Sequence, residues 1–295
     1  MNRESSTESG PKQIANPRAR LEGRALAVFL PAMCFVFILI AAPARAVAEP
    51  SPTAAVGFDS YIVQLEARLA GQHSSSTGFL APADASRLRA GDVVVEQLTP
   101  KPVPDLPGAM LHHWRGTAFV PGATAADLER LLRDYSRYPQ VYAPQVLIAK
   151  VLAHDGNHYQ SAMRLSEKHV ITVVLDTTYD IRFFPIAADP DAHSGSRGYD
   201  ISHSTRIDEI ASPGAKDEHA LDAAHEHGLL WRLNTYWSWQ ESDGGLYMQI
   251  ETVSLTRSVP AGLGWAIGPF VDSIPRESLE FTLRSTASAL RRPQQ

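Results

Sequence analysis

The residues of this chain able to do chemistry are few, and the histidines come first. His112-His113 and His225-Glu226-His227 are the close clusters. Successive residues of a strand point to opposite faces, so His112 and His113 are not expected to chelate together. His225 and His227 could share a side of their segment, but a zinc site takes three or four ligands and no third stands nearby. A solvated loop is the plainer reading, and no metal site is assigned. Acidic residues are plentiful without forming an evident acid/base couple. A Ser-His-Asp set need not be close in sequence, so its absence from the pattern decides nothing. Gly262, Gly264 and Gly268 lack the spacing and the following Lys-Ser/Thr of a phosphate loop. No catalytic residue and no cofactor is assigned.

Two long β-type runs, Leu229 to Gln240 and Leu246 to Arg257, offer more. If Ser242 to Gly245 forms a four-residue turn, Trp239 opposes Met248, Trp237 opposes Ile250 and Tyr236 opposes Glu251. Trp231, Leu233, Trp237, Trp239, Met248 and Ile250 then share one apolar face, and Arg232, Asn234, Tyr236, Ser238, Gln249 and Glu251 the other. The apolar set either lines a cavity or fills a core. In the polar set, Arg232, Tyr236 and Glu251 could join Arg206 in a charged network that orients a polar head, if that face points inward. The simpler expectation is a solvated outer sheet face. The run Val170 to Phe184 does not decide between them, because a turn at Glu167-Lys168 could shift its register by one and exchange its faces.

The elements that must hold these residues follow from pattern. Asp59 reads as the cap of a helix in which Ile62, Leu65 and Leu69 recur at three- and four-residue spacing, ending near Gly71. A Ser-rich stretch, Gln72 to Thr77, and a proline-rich one, Lys101 to Gly108, make 49–108 an N-terminal extension, with Val93 to Val95 as a possible edge strand. The domain at 109–295 opens with a strand at Leu111 to Val120. A capping-box-like Thr124 with Asp127 begins a helix along Leu128, Leu131 and Leu132, and Pro139 and Pro144 confine the following segment to a turn or short helix. Further strands at Val146 to Ala153, Tyr159 to Leu165, Val170 to Phe184 and Tyr199 to Ile210 imply an antiparallel sheet. A closing helix is expected from about Pro275 to Arg291, with Leu279, Leu283, Ala287 and Leu290 on one face.

Ahead of these elements, Ala25 to Ala42 carries no charge, follows Arg18, Arg20 and Arg24, and precedes small residues at Ala44, Ala46 and Ala48. Residues 1–48 therefore read as a signal peptide ending near Ala46 or Ala48, or as an uncleaved anchor, and the rest as exported, periplasmic or envelope-associated. Cleavage would remove Cys34, the sole cysteine, and with it any disulfide or thiol nucleophile. The formal charge of −5 is spread without a basic stripe, which argues against nucleic acid as a partner.

The segment Asp134-Tyr135-Ser136-Arg137-Tyr138-Pro139-Gln140-Val141-Tyr142, the strand end Ser254-Leu255-Thr256-Arg257-Ser258-Val259-Pro260 and the helix start Pro275-Arg276-Glu277-Ser278-Leu279-Glu280 resemble the START-like superfamily of polyketide cyclases and lipid-transfer proteins. That resemblance, over about Leu111 to Arg291, implies an α+β helix-grip fold: a curved antiparallel sheet wrapped on a long C-terminal helix, with two short helices after the first strand. It implies an apolar cavity and a lipid or other apolar small molecule as partner; an uncleaved anchor would hold the domain beside a membrane. One such fold hosts many functions. A binding protein is the leading expectation; a cyclase- or aromatase-like enzyme and a non-catalytic envelope scaffold are the alternatives.

Overall fold

Ser51 and Pro52 start the first helix. The Ser51 hydroxyl accepts the Ala54 N–H at 3.2 Å, and proline stands at the opening of the helical run, where its missing N–H costs nothing. Helix α1, Pro52–His73, therefore begins ahead of Asp59, the cap expected from sequence. The computed structural model describes residues 49–291 except 76, 102–103, 169–171, 189–194, 223–224 and 259–263, and the side chains of 167–168 and 264–272 are left aside. Residues 1–48, read from sequence as a signal peptide or anchor and including Cys34, lie outside the described residues, as do Ile171 and Gly262. Among the described residues no helix is long and apolar enough to cross a membrane.

After α1 come α2, Ala85–Arg89, and β1, Val94–Gln97, which pairs with the long β2, Ala109–Pro121. Helix α3, Ala125–Arg133, opens on a complete capping box: Asp127 N–H donates to Thr124 Oγ1 at 3.1 Å, and Thr124 N–H to Asp127 Oδ2 at 3.2 Å. A 3-10 turn, Tyr135–Arg137, runs into the short α4, Tyr138–Val141. Strands β3 (Val146–Asp155), β4 (His158–Lys168), β5 (Thr172–Ile186) and β6 (Arg197–Ala211) follow, then a brief β7 (His219–Ala220) in the loop read as polar. Strands β8 (Arg232–Ser242) and β9 (Gly245–Arg257) lead to the closing helix α5, Gly264–Arg291. It begins well before Pro275, and both Pro269 and Pro275 fall inside the helical run, each removing one helical hydrogen bond while the chain continues through it.

The strands form one antiparallel sheet in the order β1-β2-β9-β8-β6-β5-β4-β3, with β7 attached to β6. Asp243 and Gly244, at φ of 54° and 73°, make a two-residue hairpin of the kind whose twist matches its strands. That turn fixes Trp239 opposite Met248, Trp237 opposite Ile250 and Tyr236 opposite Glu251, as expected. Irregularities at Val146/Ile148 and Val151/Ala153 in β3, and at Thr178/Tyr179 in β5, bend the far side of the sheet.

Both faces of the sheet are covered. On the inner face, α5 packs chiefly on β2, and an apolar cluster joins Leu279 and Leu283 to Trp237, Trp239, Met248 and Ile250. Gly116 permits that approach, since a Cβ there would lie 2.4 Å from Leu283 Cδ1. The outer face is not solvated over β8 and β9: Phe58, Ile62, Leu65 and Leu69 of α1 bury against Leu111, Tyr236, Val253 and Leu255. This corrects the simpler sequence expectation. The extension supplies the apolar stripe that a second buried sheet face needs.

Candidate functional site

The structure divides the apolar strand set. Trp237, Trp239, Met248 and Ile250 lie on the inner face, each less than a tenth exposed. Trp231 does not join them. It precedes β8, where strand alternation has not begun, and packs in the cluster under α1. Leu233 is half-buried and belongs to neither cluster.

The polar set is also split, and none of it lines the inner face. Arg206 is exposed and pairs with Asp208 at 2.7 Å, and Arg232 is exposed with its guanidinium on the Trp231 carbonyl at 3.0 Å. Tyr236 and Glu251 are 1% and 2% exposed, sealed under α1. Their partners come from elements that strand patterns did not connect. Arg68 of α1 forms an ion pair with Glu251, His113 Nε2 lies 2.9 Å from the same carboxylate, and Tyr61 Oη is 2.7 Å from His113 Nδ1. Tyr236 donates to Glu66 Oε1 at 2.9 Å, and His203 Nε2 lies 2.6 Å from that oxygen. Burial works to raise the Glu251 pKa, but the His113 bond and the Arg68 charge hold it below the ordinary value. The structure does not join Arg206, Arg232, Tyr236 and Glu251 in one network; Tyr236 and Glu251 instead take separate partners on α1 and the sheet, and these fasten α1 to the sheet.

His112 and His113 point apart, His112 Nε2 lying 3.2 Å from Thr256 Oγ1. His225 and His227 turn to different carboxylates, Asp222 at 2.7 Å and Glu209 at 2.9 Å. Among the described residues no group of three potential ligands is placed to hold a metal ion.

Sequence reasoning missed the group with the most unusual environment. Asp200, on β6 opposite Phe183, faces inward and is 4% exposed. Its Oδ1 accepts the Trp237 N–H at 3.3 Å, where the β6–β8 ladder is interrupted between Tyr199↔Ser238 and Ser202↔Thr235. Burial pushes its pKa up to about 8, against the Trp237 bond and the Arg133 charge. Tyr135, Tyr138 and Tyr142, from the turn after α3, lie within electrostatic reach of that carboxyl, and burial raises the pKa of each. Tyr142 Oη is 3.0 Å from Thr286 Oγ1, which ties the tyrosine turn to α5. Elsewhere on the inner face, Trp114 Nε1 and Trp239 Nε1 are buried without a hydrogen-bond partner. The interior can therefore donate hydrogen bonds and carry a proton on a carboxyl, between aromatic walls.

A nine-stranded antiparallel sheet gripping a C-terminal helix, with short helices after the first long strand, defines an α+β protein of helix-grip architecture. No protein-family model matches the chain, and no curated protein matches its sequence. Solved structures that it is similar to include a STAR-related lipid transfer protein from Xanthomonas axonopodis, 16% identical over 67% of this chain and 99% of that one, TM-score 0.39. A START superfamily protein from Mycobacterium smegmatis is 14% identical over 60% of this chain and 96% of that one, TM-score 0.38. Human STARD10 is 8% identical over 72% and 81%, TM-score 0.41. Likeness at this level carries no argument about ligand or activity.

Proposed function

We propose that this chain binds a lipid or other apolar small molecule between the inner sheet face and α5. The observation that carries the reading is a wall of large apolar side chains interrupted by buried indole donors without partners, Trp114 Nε1 on β2 and Trp239 Nε1 on β8. Folded interiors pair their buried polar groups, and an unpaired one costs about 1–3 kcal/mol. A bound molecule with acceptor atoms would remove that cost, whereas a purely structural core would have no use for it. The uncharged run Ala25 to Ala42 supports action outside the cytoplasm, near envelope lipids, with 49–108 as a brace for the ligand domain at 109–295.

Native mass spectrometry of protein purified from its own host tests this. Bound apolar material is expected, and its amount should fall in Trp237→Ala and Trp239→Ala. Protein that is empty in every preparation, with wild-type and variant interiors equally indifferent to apolar probes, would count against binding. A second reading, proton-transfer catalysis of the cyclase kind, is favoured by Asp200, because a buried carboxyl that holds its proton to about 8 is suited to general acid/base work. Exchange of α-protons from a bound ketone in D2O, absent in Asp200→Asn, would establish it; equal exchange in both proteins would remove it.

A further inference from the structure

An interior that only needed to be greasy would not keep a carboxyl where this one is. Asp200 sits mid-sheet, opposite Phe183 and beside Trp237, and the β6–β8 ladder opens around it. The charged and titratable groups facing it are Arg133 from α3, Tyr135 from the 3-10 turn, Tyr138 from α4 and Tyr142 just beyond it. Arg133 is committed elsewhere. Its guanidinium donates to Glu129 at 2.6 Å and to Asn157 at 2.9 Å, and lies 4.2 Å from the centre of the Phe183 ring. Without an ion-pair partner, a carboxyl at this depth keeps its proton.

We propose that Asp200 acts as a carboxylic acid that anchors the ligand, restricting the interior to apolar molecules that carry an uncharged hydrogen-bonding group, a hydroxyl or a ketone. This rests on the enclosed-ligand reading above. A protonated carboxyl donates one hydrogen bond and accepts others, so it can meet either oxygen. A ligand carboxylate or phosphate would bring in a charge that no uncommitted cation beside Asp200 stands ready to pair, at a cost of several kcal/mol. Burial, by holding the Asp200 pKa near 8, makes the anchor proton-dependent: it is present at neutral pH and lost as the carboxyl ionises.

The test uses naphthalene, 2-naphthol and 2-naphthoate as probes, titrated into the full chain at pH 6 and followed by quenching of tryptophan emission. Wild type is expected to bind 2-naphthol about tenfold tighter than naphthalene, the worth of one hydrogen bond, and 2-naphthoate most weakly. In Asp200→Leu the two neutral probes should bind alike; in Asp200→Asn, whose amide also donates and accepts, the preference for 2-naphthol should survive. Between pH 6 and 9 the preference should decline in wild type and stay level in Asp200→Asn. A preference that persists in Asp200→Leu overturns the anchor, as does equal binding of naphthalene and 2-naphthol by wild type. If Asp200→Leu does not fold, the pH series on wild type and Asp200→Asn decides alone. Failure of all three probes to bind folded wild type would instead sink the enclosed-ligand reading, and the anchor with it.

Discussion

Gly116 is the position at which the grip of α5 on the sheet can be measured. An alanine Cβ there would meet Leu283 Cδ1 at 2.4 Å, with Leu279 Cγ and Cδ2 at 3.2 and 3.3 Å. Leu283 is fully buried and Leu279 is 3% exposed, so neither side chain has open space to retreat into. Overpacking of this kind costs about 1–3 kcal/mol. Replacing a strand glycine works the other way by about 0.5–1 kcal/mol, because the unfolded chain loses freedom. The clash should win, and Gly116→Ala is expected to be the less stable protein. Leu283→Ala alone should cost about 2–5 kcal/mol through the cavity it leaves. In the double variant the new methyl enters that cavity, so its destabilisation should fall short of the sum by about 1 kcal/mol or more, a coupling well above the error of a mutant cycle. Urea denaturation followed by tryptophan emission supplies the free energies. Strict additivity, or a neutral Gly116→Ala, would mean that α5 is not seated on β2, and the interior described above would lose its roof.

The other perturbations address the outer face and the buried acid. Phe58, 2% exposed under α1, should cost about 3–5 kcal/mol on truncation to alanine, measurable by urea denaturation, while probe binding on the inner face stays unchanged in the folded fraction. The pKa of Glu251 and of Glu66 is lowered in the fold, so their contribution is present above the ordinary glutamate value of 4.5 and is lost as pH falls through the lower folded value. Glu251→Gln should flatten the acid limb of a stability-versus-pH curve; an unchanged limb would show that the α1 ion pairs do not drive it. Asp200 has the opposite sign: its raised pKa makes its contribution complete below 3.8 and progressively lost as pH rises towards about 8. Asp200→Asn should therefore be more stable than wild type at pH 8, with the difference shrinking as pH is lowered, in thermal melts across that range.

Local signals carried far into this fold. Asp243-Gly244 set the β8–β9 register, and Thr124 with Asp127 placed α3, because each is a short-range device whose partners are a few residues apart. Signals failed where the partner was remote. Arg68 and Glu251 are 183 residues apart, so nothing in the strand pattern announced that α1 would cover Tyr236 and neutralise Glu251. The same cover explains why Asp200 went unnoticed. In β6, alternation would send Tyr199 and Ile201 inward and Asp200 and Ser202 to solvent. The reverse holds, because the outer face has its own apolar lining: Ile201 packs at the α1 cluster, and Tyr199 stacks on His73 with ring centres 3.9 Å apart. Once both faces are buried, amphipathic alternation no longer tells inside from outside.

On the proposed binding reading, that two-sided burial also decides what kind of head group the interior would accept. Arg206, Arg232, Tyr236 and Glu251 could have oriented a polar head only if their face pointed inward, and all four stand away from the inner face. The charges between α1 and the sheet are spent on one another, with Glu251 answered by Arg68 and by Arg115 at 3.6 Å, and Glu66 facing His203 at 2.6 Å. What faces α5 is aromatic and aliphatic, with indole donors and a carboxyl that burial keeps neutral. An ion entering there would surrender its hydration without a counter-charge, whereas a neutral oxygen would meet donors that already lack partners. The fold thus separates its two polar tasks: charged pairs hold the extension to the sheet on the outside, and uncharged hydrogen-bonding groups wait on the inside.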